Sequence, residues 1–125
     1  MADPAYTLEF YEDAKGHQPV RDWLKNDLNP EDRRTVGAAL REILQENGVN
    51  VCGSSFSRQL GGGLFEFRLR EQPLIIRILC HAHGDRLILL LGGYDKGQDP
   101  SGRRQNQEIA VARARLEEWR ARQRA

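Results

Sequence analysis

The chain has 125 residues, 39% apolar and 30% charged, which supports one hydrophobic core and excludes a fibrous or largely disordered chain. Nineteen Lys and Arg stand against eighteen Asp and Glu, and a net charge of +1 by itself predicts no strong affinity for nucleic acid. The longest apolar run, Leu87 to Leu91, is far short of the roughly 20 residues that span a bilayer, and the N-terminus lacks the pattern of a secretory signal. A single cytoplasmic domain over residues 1–125, with no membrane partner, is the expectation.

In chain order, Tyr6, Leu8 and Phe10 alternate with Thr7, Glu9 and Tyr11, the period of a half-buried strand. Pro19 suits a first helical turn, and Val20, Trp23, Leu24 and Leu28 fall on one helical face until Asn29-Pro30 interrupts. Asn29 then caps a second helix with Pro30 at its first position and Glu31 and Asp32 in its first turn. Val36, Ala39, Leu40, Ile43 and Leu44 supply its apolar stripe, and Gly48 is a natural C-cap.

From residue 55 the period becomes two. Phe56 and Leu60 begin a strand that ends at Gly61-Gly62-Gly63, and because no helix follows, these glycines are a connector and not a phosphate loop. Phe65, Phe67 and Leu69 alternate with Glu66, Arg68 and Arg70. In the next strand Leu74, Ile76 and Ile78 share one face, and Ile75, Arg77, Leu79, His81 and His83 the other. Gly84-Asp85 reads as a two-residue turn into a last strand, Arg86 to Lys96. Gln105 to Arg124 reads as a helix with Ile109, Ala112, Leu116 and Trp119 inward and its arginines on a solvated outer face. The class is α+β, in the order β-α-α-β-β-β-β-α.

Cys52 and Cys80 lie 28 residues apart, and alternation puts Cys80 opposite His81 and His83, so no metal site is expected. Charge is polarised: residues 1–50 carry six Lys or Arg against ten Asp or Glu, whereas residues 103–125 carry seven Arg against three Glu.

With Glu71-Gln72 as a turn, Arg68 lies opposite Ile75, Arg70 opposite Pro73 and Glu66 opposite Arg77. With Gly84-Asp85 as the next turn and no bulge, Arg77 lies opposite Gly92, Ile75 opposite Tyr94 and Pro73 opposite Lys96. Arg68, Arg77, Tyr94 and Lys96 then share a face, with open space at Gly92 for a phosphate. Three cations around a phenol suit metal-free RNA cleavage, in which arginines clamp the phosphate while Lys96, or Tyr94 with a pKa lowered by the cations, moves protons. The bland alternative pairs an arginine with Glu66 on a solvated face and leaves Tyr94 as a half-buried aromatic. Arg70, His81 and Arg58 are secondary candidates for RNA contact, and His83 is expected in solvent.

Leu60-Gly61-Gly62-Gly63-Leu64-Phe65-Glu66-Phe67-Arg68, then Ile76-Arg77-Ile78-Leu79, Leu90-Leu91-Gly92-Gly93-Tyr94-Asp95-Lys96 and Glu108-Ile109-Ala110, resemble the RelE/HigB-like toxins of bacterial type II toxin–antitoxin modules, closest to their phage-derived branch. The resemblance implies the RelE/ParE-like fold, a small antiparallel sheet packed against helices. It also implies a ribosome-dependent mRNA endonuclease without cofactor or metal, whose partners are ribosome, mRNA and a helix-turn-helix antitoxin. Arg68 matches the arginine of the family's Glu-Leu-Arg-like motif, Arg77 the Tyr-Arg-like position, Tyr94 the aromatic after the last strand and Lys96 the first of two lysines. The second lysine is Gly97 here. The alternatives are a ParE-like gyrase-inhibiting toxin of related fold and a non-catalytic phage-derived binding protein.

Overall fold

The computed structural model describes residues 5–47, 56–71, 73–84, 86–98 and 101–124. The elements are β1 (Thr7–Phe10), α1 (Pro19–Asn26), α2 (Pro30–Ala39), a π-helical turn (Leu40–Leu44), α3 (Gln45–Asn47), β2 (Ser57–Gly61), β3 (Leu64–Glu71), β4 (Leu74–His83), β5 (Leu87–Asp95) and α4 (Gly102–Arg124). The expected α+β class and element order are realised, with the second helix continuing through the π turn. Among the described residues no helix is long and apolar enough to cross a membrane.

The helical hairpin is built by local chemistry. Asn29 Oδ1 accepts the Asp32 backbone N–H at 2.7 Å, satisfying one of the orphan donors of the α2 N-terminus. Arg33 donates to the carbonyls of Leu24, Lys25 and Leu28 and so caps α1 from the side. In the π turn the Gln45 N–H bonds to the Leu40 carbonyl, and the Gln45 carbonyl accepts the Tyr6 N–H at 2.9 Å, which docks the start of β1. The proposed cap Gly48, Cys52 and the turn residue Asp85 lie outside the described residues.

The sheet order is β1-β5-β4-β3-β2. Strands β2 to β5 form an antiparallel meander, whereas β1 pairs with β5 in parallel, from Thr7 with Leu87 to Phe10 with Leu90. The sheet is therefore mixed. A parallel pair needs a long crossover, and the helices together with β2–β4 provide it.

Both faces are covered. One packs Phe65, Phe67, Ile76, Ile78, Cys80, Ile88 and Leu90 against Val20, Val36, Leu40 and Leu44 of the helical hairpin. The other packs Leu64, Leu79, Leu89 and Leu91 against Ala112, Leu116 and Trp119 of α4. Gly93 lets α1 settle on the sheet, because a Cβ there would lie 2.7 Å from the Trp23 ring.

Two registers differ from expectation. Glu71 pairs with Leu74, so Gln72-Pro73 is the connection and Arg68 lies opposite Arg77. Pro73, with a fixed φ and no N–H, belongs in the turn and not in the ladder. His83 pairs with Leu87, making the next connection three residues, and a bulge follows in which Leu79 pairs with Gly92 but Cys80 with Leu90. Leu91 is the extra residue. Each hairpin thus ends two residues from the expected register at the site, so the side chains there keep their face while their cross-strand partners change, whereas before the bulge the one-residue offset turns Ile88 and Leu90 to the helical-hairpin face. Arg77 pairs with Tyr94, not Gly92.

Candidate functional site

These registers place Arg68, Arg77 and Tyr94 in one row across β3, β4 and β5 on the α4 side of the sheet. Arg70 and Ile75 form the adjacent row, which Lys96 extends through its backbone N–H to the Ile75 carbonyl at 2.7 Å. Of the four residues expected to share a face, Arg68, Arg77 and Tyr94 do so by register, and Lys96 follows the end of β5. The expected opening at Gly92 is instead occupied, since a Cβ there would be 3.8 Å from both Arg115 Nη1 and the Leu79 side chain.

At the base of the row lies Glu66, wholly buried. Its Oε1 is 2.9 Å from Arg68 Nε, 3.6 Å from Arg77 Nε and 4.0 Å from Arg58 Nη2, while Oε2 accepts Gln105 Nε2 at 3.0 Å. The pairing of Glu66 with an arginine is therefore realised, but in the interior and not on a solvated face. Anchoring of Arg68 through Nε has a chemical consequence: among the described residues its forked Nη end makes no hydrogen bond and remains for another acceptor, while Arg77 Nη1 makes a 3.4 Å contact with the Ile76 carbonyl. Arg77 Nε is also buried without a well-formed hydrogen bond among the described residues. Burial lowers the Arg77 pKa and Glu66 opposes that shift, yet a guanidinium stays charged at neutral pH.

Arg68, Arg70 and Arg77, together with Phe56, line a cavity of about 430 Å³. One carboxylate faces this group of cations, so the cavity is net positive in a chain of nearly balanced charge. A tetrahedral oxyanion matches the paired donors of such forks.

Tyr94 departs from expectation. Its side chain is fully buried, its hydroxyl has no hydrogen-bond partner among the described residues, and Arg104 lies over the ring at 5.4 Å from its centroid. Burial, followed by the Glu66 charge, pushes the phenol up to about 12, outweighing Arg77. The cations do not lower it, and at neutral pH Tyr94 is a hydrogen-bond donor and not a base.

The secondary candidates separate. Arg70 is exposed on the cavity, and Arg58, cross-strand from Glu66, stands at its edge. His81 is 7% exposed beneath α4, with Nδ1 2.7 Å from the Gly63 carbonyl and its ring edge-on to Trp119, so it serves packing and not the arginine cavity. His83 is exposed as expected and packs on Trp119. Burial lowers the His81 pKa below its ordinary 6.5, with Arg120 and His83 adding to the effect against the Gly63 hydrogen bond. The unfolded chain then takes up the proton first, so His81 contributes stability above about pH 6.5 that is lost as pH falls through the lower folded value. Urea midpoints measured between about pH 7 and 5 should fall with acid in the wild type, and more shallowly in His81→Gln; parallel slopes would refute this assignment.

The arginines of α4 keep the exposed or half-exposed face expected of them, and several also bond backbone carbonyls of the sheet and its connections. Arg113 donates to the carbonyls of Leu60 and Gly61, Arg120 to that of Gly62, Arg115 to that of Leu91 and Arg122 to that of Glu12. Gly61, Gly62 and Gly63 all have positive φ, a conformation that presents carbonyls to these guanidiniums. The helix is strapped to the sheet, and its first turn delivers Gln105 to Glu66 and Arg104 to Tyr94. Sequence reasoning gave Phe56, Gln105 and Arg104 no role. Phe56 was visible as an aromatic just before a basic strand, whereas Gln105, 39 residues from Glu66, left no signal.

A three-layer α+β domain with an arginine-lined cavity organised on a buried glutamate defines the class. The chain matches the family described as phage derived protein Gp49-like (DUF891) over residues 22–117, from within α1 into α4, and belongs to it. That family is one of RelE-like toxins. No curated protein matches the chain.

Proposed function

We propose that this protein is the toxin of a toxin–antitoxin module, acting in the cytoplasm as a ribosome-dependent endonuclease on translated mRNA and silenced by a helix-turn-helix antitoxin. The observation that carries this reading is the convergence of Arg68, Arg70 and Arg77 on one cavity, with Arg68 hydrogen-bonded and Arg77 ion-paired to the buried Glu66. Family membership supports the toxin assignment.

In the proposed reaction the guanidinium forks hold the non-bridging oxygens of a phosphodiester and stabilise the charge that grows on the phosphorane. The 2′-hydroxyl yields its proton to solvent water as its oxygen forms the new bond to phosphorus, and the bond to the 5′-oxygen breaks, leaving a 2′,3′-cyclic phosphate and a 5′-hydroxyl. Tyr94, with its hydroxyl buried, takes no part in proton transfer, and the Lys96 ammonium gives the proton to the departing 5′-oxygen. Among these residues Glu66 serves position and not proton transfer, because both its oxygens are occupied.

Primer extension on a reporter message, with and without translating ribosomes, tests the proposal. New 5′ ends are expected only with ribosomes. An intact message beside folded protein, with DNA gyrase supercoiling inhibited instead, would transfer the toxic action to gyrase.

A further inference from the structure

Phe56 is one of two large apolar residues among the described residues that stand substantially exposed, at 40%; the other is Val111 on α4. Isolated exposed apolar side chains are ordinary and need no role. Phe56 differs in its surroundings, since it shares a cavity with Arg68, Arg70 and Arg77. Its place there is fixed: the Phe56 carbonyl accepts the Arg68 backbone N–H at 2.6 Å, continuing the ladder in which Ser57 pairs with Phe67. Ring and guanidinium thus start from one step of the sheet.

An aromatic side chain beside a cluster of cations matches the two halves of a nucleotide. We propose that Phe56 stacks on the base of an unpaired ribonucleotide whose phosphate lies among Arg68, Arg70 and Arg77, making Phe56 the element that selects single-stranded RNA. The inference rests on the proposed cleavage reading in taking the ligand to be RNA. In a duplex each base is already stacked on its neighbours, so paired RNA would offer the arginines its backbone but deny the ring its partner. Stacking is also tolerant of base identity, which predicts weak sequence preference from this contact.

The test is an NMR titration of the whole protein with a non-cleavable 2′-O-methyl trinucleotide and with its analogue lacking the central base. The wild type should bind the abasic analogue about 5- to 100-fold more weakly. Phe56→Tyr should keep that difference, whereas Phe56→Leu should bind the two ligands alike, at the level of the abasic one. Separately, Trp fluorescence of Phe56→Trp should be quenched by the intact ligand alone. Equal binding of both ligands by the wild type, or the same abasic penalty in Phe56→Leu, overturns the stacking role while leaving the arginine site intact. Binding that Arg70→Ala leaves unchanged overturns the phosphate placement as well. Cleavage is read independently by primer extension, so failure of the nuclease reading is distinguishable from failure of this one.

Discussion

Arg77→Ala is expected to lower the rate of ribosome-dependent message cleavage by about 100- to 1,000-fold, the usual cost of losing a preorganised donor to an oxyanion. Arg77 lies between Arg68 and Tyr94 in the cross-strand row and is ion-paired to Glu66. Arg77→Lys should recover little, because an ammonium on a flexible stem cannot reproduce two parallel N–H donors. The side chain is also buried, so the variant must be shown to be folded by its thermal transition. Arg70→Ala supplies the cleaner comparison. That side chain is exposed and has no ion pair among the described residues, so cleavage should fall about tenfold while the unfolding midpoint stays put. Undiminished cleavage in both variants would remove the arginine cavity from the mechanism. Undiminished toxicity without cleavage would favour gyrase or a binding function.

The second large effect concerns stability. Glu66→Leu should cost about 3–5 kcal/mol, because it leaves the Arg77 charge buried beside Arg68 without its carboxylate and strands the Gln105 amide. Glu66→Gln should cost less, since one oxygen still accepts and the volume is conserved. Urea denaturation measures both, and a Glu66→Leu midpoint equal to the wild type would show that the carboxylate is dispensable to the fold. The same replacement should reduce cleavage by more than its effect on the folded fraction, because the Nε hydrogen bond of Arg68 and the ion pair of Arg77 with Glu66 are gone.

The sequence announces its helices through local chemistry: Asn29-Pro30 with Glu31 and Asp32 is a self-contained start signal, and the structure uses it. Strand faces were equally legible, since alternation along Phe65 to Arg70 and Leu74 to His83 decides which side chains meet α1 and α2 and which meet α4. Cross-strand partners were not. Gly92-Gly93 marks the place where a bulge could enter but does not decide whether it does, and only the exclusion of Pro73 from the ladder could have moved the first turn. The Tyr94 pKa escaped for a different reason: its sign depends on how deeply α4 buries the ring, a tertiary quantity, whereas its neighbouring charges are readable from register alone. The α4 arginines show the same limit. Their spacing fits a solvated helix face, which they keep, but it gives no sign of the bonds they also make to the carbonyls of Gly61, Gly62 and Leu91.

The most direct measurement replaces one nucleotide, the one on the 5′ side of the cut, by its 2′-deoxy form in a translated message and follows cleavage and end chemistry with wild-type protein. Loss of the cut in the deoxy message, with 5′-hydroxyl ends in the unmodified one, is the result expected of an arginine-stabilised attack by the 2′-oxygen. Continued cleavage of the deoxy message, leaving 5′-phosphate ends, would contradict it.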